Sequence, residues 1–261
     1  TVTSSATTAT FCAVMPDNVG VGDILQYPAG APASLAVIVG RASSTVYYVR
    51  TTNGQSSPTA AGGGTNVDVF RAYTSLVDWE SQDENDSLDD ALENFDTSTD
   101  LAADNTVMDV AAYNDGPDVL AAPLIIDGWT TAPSNFIHIF TPTSVSQVGE
   151  SQRHNGTLDS GYQLDITGNY GIDILENNVR LEGIEYTNNN SSGSSRAALR
   201  INDLGSGTID IRISYMYAHD LTNTNDLGMH GIEINHIGEG SVWIYNNIII
   251  GDDRAGIRGI S

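Results

Sequence analysis

Three apolar-polar-apolar triplets, Val179-Arg180-Leu181, Ile211-Arg212-Ile213 and Val242-Trp243-Ile244, recur at steps of 32 and 31 residues. A second set keeps pace with them: Ile172-Asp173-Ile174, Leu199-Arg200-Ile201, Ile232-Glu233-Ile234 and Ile257-Arg258-Gly259-Ile260. Two-residue alternation is the signature of a short strand with one buried face. Repetition with a period of roughly 20 to 50 residues marks stacked structural units. The expected fold is therefore all-β, a parallel β-helix (solenoid). Stacking like on like sends the middle residues outward in two columns. One column, Asp173, Arg200, Glu233 and Arg258, alternates in sign and reads as an exposed charge ladder, because opposite charges facing across strands are favourable. The other holds Arg180, Arg212 and Trp243, with Glu182, Ser214 and Tyr245 two residues further on.

Charge narrows the partners. The 261 residues carry 33 Asp and Glu against ten Arg and no Lys, a formal charge of −23. Such a field repels nucleic acid and anionic lipid, so neither is expected as a partner. No apolar run reaches the length of about 18 residues that suggests membrane insertion. Cys12 is the single cysteine, which rules out an intrachain disulfide framework. The chain begins at Thr1 rather than Met, which suggests a removed leader or a piece of a longer protein. Asn85-Asp86-Ser87, Asn155-Gly156-Thr157, Asn189-Asn190-Ser191 and Asn190-Ser191-Ser192 match the glycosylation sequon and read first as solvated loops.

Two regions are expected: residues 1–80, a small β module with an extended arm over 1–15, and residues 81–261, a capping helix and the parallel β-helix. Within the first, 23–27, 35–39, 45–50 and 67–70 read as strands separated by Pro28-Ala29-Gly30, Asn53-Gly54 and Gly62-Gly63-Gly64. A helix is predicted over 86–95, with Ser87 and Asp90 as a weak capping box and Leu88, Ala91, Leu92 and Phe95 on one face. Its expected task is to cover the first coil of the stack.

The order of that helix, then Thr106-Val107-Met108-Asp109-Val110-Ala111-Ala112-Tyr113, then short strands with Asn246-Asn247 at a corner, resembles the pectate-lyase-like superfamily of right-handed parallel β-helix proteins. That superfamily includes secreted polysaccharide lyases and hydrolases, phage tail spikes and cell-surface adhesins. The resemblance spans about residues 85–261 and implies a fold more than an activity. Ser241 to Asn246 is similar to the stretch of pectate lyases in which an Asp-His pair follows the strand, but Tyr245 and Asn246 stand there. The paired Asp residues of polygalacturonases have a counterpart in Asp252-Asp253, with His230-Gly231 before rather than after it and no Lys in the chain.

The favoured function is non-enzymatic: a structural or adhesion component of an extracellular, cell or virion surface, assembling with copies of itself or related subunits and contacting glycans. Arg180, Arg212, Trp243 and Tyr245 are the candidate glycan-binding residues, since aromatic faces stack on pyranose C–H groups and guanidinium forks bind sugar oxygens. The alternative is a polysaccharide lyase or glycoside hydrolase. Asp226, Glu233, Asp252 and Asp253 are its candidate catalytic carboxylates, because glycosidic cleavage needs two carboxyl groups in different environments. No cofactor is called for, although Asp252 and Asp253 are candidate Ca²⁺ ligands. Gln152-Arg153-His154-Asn155 stands out as a polar cluster and candidate functional loop.

Overall fold

The computed structural model describes the chain except residues 1, 6, 29–32, 55, 61–65, 91, 93, 94, 96, 97, 189–196, 203, 205, 206, 220–229, 236, 237, 252–255 and 261. Two units are distinguished. The first comprises Thr1–Thr97 and Pro142–Gln152, the second Ser98–Thr141 and Arg153–Ser261.

In the first unit, β1 (Val2–Ser5), β2 (Thr8–Phe11), β3 (Asp23–Tyr27), β4 (Ser34–Arg41), β5 (Val46–Arg50) and β6 (Asp68–Arg71) form one curled antiparallel sheet in the order β1-β2-β5-β4-β3-β6. Its inward residues include Leu25, Tyr27, Ile38 and Val49, and Phe11 meets the buried Tyr47 ring edge-on at 5.6 Å. Asp23 is buried but satisfied: Arg71 donates to it at 2.5 Å and the Gly20 amide at 2.9 Å. The excursion 142–152 joins this unit through backbone bonds, with the Gly149 and Glu150 amides donating to the Asp17 carbonyl.

The predicted helix over 86–95 is not formed among the described residues. These lie in turns, bends and irregular chain, and Leu88, Leu92 and Phe95 belong to the first unit. Asn85 accepts from the Ser87 amide and Gln26 captures the Asp89 amide, so side chains take the donors that a helix would use. Asp86 and Asp90 would also face each other as like charges at i and i+4. The helix sits earlier, α1 (Leu76–Ser81), where Ser75 accepts from the Asp78 amide and Leu76 and Trp79 are buried.

The second unit opens with the short α2 (Leu101–Asp104), capped by Asp100. The chain then visits three sheets in turn: β7 (Met108–Ala111), β8 (Asp118–Leu120), β9 (Leu124–Ile126); β10 (Ile137–Phe140), β11 (Gln163–Ile166), β12 (Tyr170–Ile174); β13 (Val179–Glu182), β14 (Glu185–Asn188), β15 (Ala197–Ile201); β16 (Ile209–Ser214), β17 (Tyr217–His219), β18 (His230–Asn235); and β19 (Gly240–Tyr245), β20 (Ile248–Ile249), β21 (Ile257–Ile260). The sheets are β7-β10-β13-β16-β19, β8-β11-β14-β17-β20 and β9-β12-β15-β18-β21, each of five strands. Ile213 of the first, Tyr186 and Ala218 of the second and Leu199 and Ile232 of the third line one apolar cavity.

The chain is thus mostly β, but the expected single right-handed parallel β-helix with a capping helix is corrected, and the pectate-lyase-like resemblance with it. One antiparallel half-barrel sheet and three parallel sheets stand in its place. The physical reason is that a repeat fixes which strands pair and in what register. It does not fix how sheets close or the hand of their connections.

The registers are those of the triplets. Ile172 pairs with Leu199 and Leu199 with Ile232, while Asp173, Arg200, Glu233 and Arg258 are successive partners. On the first sheet Arg180 pairs with Arg212 and Arg212 with Trp243. Ile137, Val179 and Ile211 are fully buried, as are Ile172 and Leu199.

Candidate functional site

The first parallel sheet turns a chemically distinctive face away from its core. One column runs Asp109, His138, Arg180, Arg212, Trp243 across β7 to β19, and beside it lie Ala111, Phe140, Glu182, Ser214 and Tyr245. Neighbouring members are separated by the strand spacing, about 4.8 Å. All four candidate glycan-binding residues are brought onto this face. Trp243 is 58% and Tyr245 45% exposed, large values for aromatic residues. The Arg212 side chain is 43% exposed and grips Asp210 with two hydrogen bonds of 2.9 Å. Arg180 is more enclosed, lying 3.3 Å from the centre of the Phe136 ring and 3.6 Å from the same Asp210. Two arginines facing each other on adjacent strands repel. Asp210, shared between them, offsets that repulsion.

At the other end of the face His138 bridges two carboxylates, 2.9 Å from Asp109 and 3.6 Å from Glu182, with its ring stacked 4.7 Å from Phe140. Burial disfavours the charged imidazole, but the hydrogen bonds to Asp109 and Glu182 outweigh it and raise the His138 pKa. Glu182 is held below its ordinary value by His138 and by Arg153, which pairs with it directly.

The corner after this sheet is built by residues in the left-handed backbone region: Gly183 at φ 85°, Tyr215 at 55° and Asn246 at 57°. A Cβ on Gly183 would lie 2.1 Å from Oγ1 of Thr141, so both conformation and space call for glycine there. The polar cluster picked out at 152–155 partly converges on this corner. Nε2 of His154 lies 2.6 Å from the Tyr215 carbonyl oxygen, and the Arg153 guanidinium lies 4.5 Å from the Tyr215 ring centre. Tyr217 stands between His154 and His219, and His219 is 2.8 Å from the buried carboxylate of Glu185. Gln152 belongs to the other unit.

The alternating ladder differs from expectation in its setting. Asp173 and Glu233 are buried rather than solvated. Arg200 closes on Asp173 with both arms, one bond being 2.9 Å, and lies 3.9 Å above the Tyr170 ring. Glu233 accepts from Asn235 at 2.9 Å and faces Arg258 at 3.5 Å. Its carboxylate is committed to those partners. Asp226, Asp252 and Asp253 lie outside the described residues, and so does the expected Ca²⁺ site on the last two. Among the described residues, no three His, Cys, Asp or Glu side chains are grouped to hold a metal ion.

No family model, curated protein or solved structure matches this chain.

The repeats alone place Arg180, Arg212, Trp243 and Tyr245 in their columns. His138, Asp109 and Tyr215 join them only in the fold. The first pair carried a signal, since Met108-Asp109-Val110 and Ile137-His138-Ile139 are also apolar-polar-apolar triplets.

Proposed function

We propose that this protein is a non-catalytic structural or adhesion component of an extracellular, cell or virion surface, which assembles with copies of itself or related subunits and contacts glycans. The observation that carries the reading is the exposed pair Trp243 and Tyr245 beside the half-exposed Arg212 on one sheet face. Stacking rings next to a fork of donors is the composition that saccharide contact requires.

The hydrolase or lyase alternative is weakened at Glu233, whose carboxylate is buried and engaged by Asn235 and Arg258. One experiment separates the two: the purified protein is screened against neutral and acidic polysaccharides for retention, unsaturated products and new reducing ends. Retention without products is expected. Product formation would replace the proposal by the enzymatic alternative.

A further inference from the structure

Tyr215 is a bulky residue in a backbone conformation that costs strain for most side chains with a Cβ, whereas Gly183 and Asn246 at the equivalent corners are residue types that adopt it more readily. Such strain persists where the surroundings over-determine it, and it marks places where a side chain is being presented. Here the surroundings are visible. His154, braced against Tyr217 at 5.4 Å, fixes the Tyr215 carbonyl, while Arg153, tied to Glu182, backs the ring. Tyr215 remains 40% exposed. It follows Ser214, the strand partner of Tyr245, so it sits one strand away from the exposed rings of β19.

We infer that Tyr215 completes, with Trp243 and Tyr245, a three-ring platform for an uncharged pyranose chain. This rests on the glycan-contact reading above and adds a residue and a ligand class to it. The class follows from charge. Arg212 and Arg180 share the single carboxylate of Asp210, and Arg153 pairs with Glu182, so the polar groups beside the rings offer donors and acceptors to hydroxyls with one positive charge beyond their carboxylates. Around them the chain carries a formal charge of −23, which repels a polyanion. Neutral sugar rings lose nothing to that field and gain the stacking.

The test is affinity electrophoresis of the whole chain in gels containing a soluble neutral β-glucan or, separately, polygalacturonate. Tyr215→Asn removes the ring while keeping a residue that tolerates the left-handed region, and Tyr215→Phe keeps the ring. Expected are retardation by the neutral polymer, affinity weakened about three- to tenfold in Tyr215→Asn, and little change in Tyr215→Phe, with unaltered circular dichroism. Full retardation of Tyr215→Asn alongside loss in Trp243→Ala would overturn the role of Tyr215 and leave the glycan reading standing. Equal or stronger retardation by polygalacturonate would overturn the ligand class. Retardation by neither polymer would overturn the inference together with the reading beneath it.

Discussion

Nδ1 of His138 lies 2.9 Å from Oδ1 of Asp109 on the adjacent strand, and on its other side Nε2 lies 3.6 Å from Glu182. One ring thereby ties three neighbouring strands together, provided it is protonated.

The pH dependence follows. The His138 pKa is raised on folding, so its contribution is fully present below the ordinary value of 6.5 and is lost as pH rises through the folded value. The Glu182 pKa is lowered, so its contribution is present above the ordinary value of 4.5 and is lost as pH falls through the folded value. Urea melts from pH 5 to pH 9 should show a decline in stability at the alkaline end that is smaller in His138→Asn. Identical pH profiles for the two proteins would count against the bridge.

The buried ladder behaves differently from a surface one. Asp173→Ala strands Arg200, whose side chain is mostly enclosed, and should cost about 3 to 5 kcal/mol. Arg200→Ala should be comparably severe because it leaves Asp173 buried without its charge partner. Arg258→Ala removes a more exposed side chain from a 3.5 Å pair and should cost about 0 to 1 kcal/mol. Denaturant midpoints of the three variants decide this. Equal, small effects would mean that the ladder is solvated after all.

Gly183→Ala should destabilise by more than about 1 kcal/mol, since it combines a positive φ with a Cβ 2.1 Å from Thr141. Gly256→Ala is the control, its nearest neighbour being 3.6 Å away at an ordinary φ. Thermal melts showing the same loss for both would remove the corner argument.

In the apolar interior, Leu199→Ala should cost about 2 to 5 kcal/mol, because Leu199 is buried between its strand partners Ile172 and Ile232. Equilibrium unfolding measures it directly. A cost below about 1 kcal/mol would place Leu199 outside the core.

What the sequence made legible was register, and the reason is local. In Ile172-Asp173-Ile174 or Ile211-Arg212-Ile213 a slip of one residue would turn the apolar pair to the wrong face, so alternation and pairing specify each other. The same signal faded toward the chain's middle because of one excursion. Ile137 precedes Val179 by 42 residues, but eleven of them, 142–152, belong to the other unit, and the remaining 31 restore the period. His138 was hidden for that reason. Sheet closure, the burial of Asp173 and Glu233, and the strain at Tyr215 depend on what packs over each strand, and alternation carries no information about that. In the acidic stretch 86–95 the helical spacing of Leu88, Leu92 and Phe95 is overridden by the side chains of Asn85 and Gln26, which take the Ser87 and Asp89 amides.

Oxidative footprinting of the chain with and without a saturating neutral polysaccharide tests the central claim most directly, since it reads the solvent exposure of individual rings. Expected is protection of Trp243 and Tyr245, with no change at the exposed Ile125 on the third parallel sheet of the same unit. Demonstrated polysaccharide binding that leaves Trp243 and Tyr245 as reactive as in the free protein would contradict it.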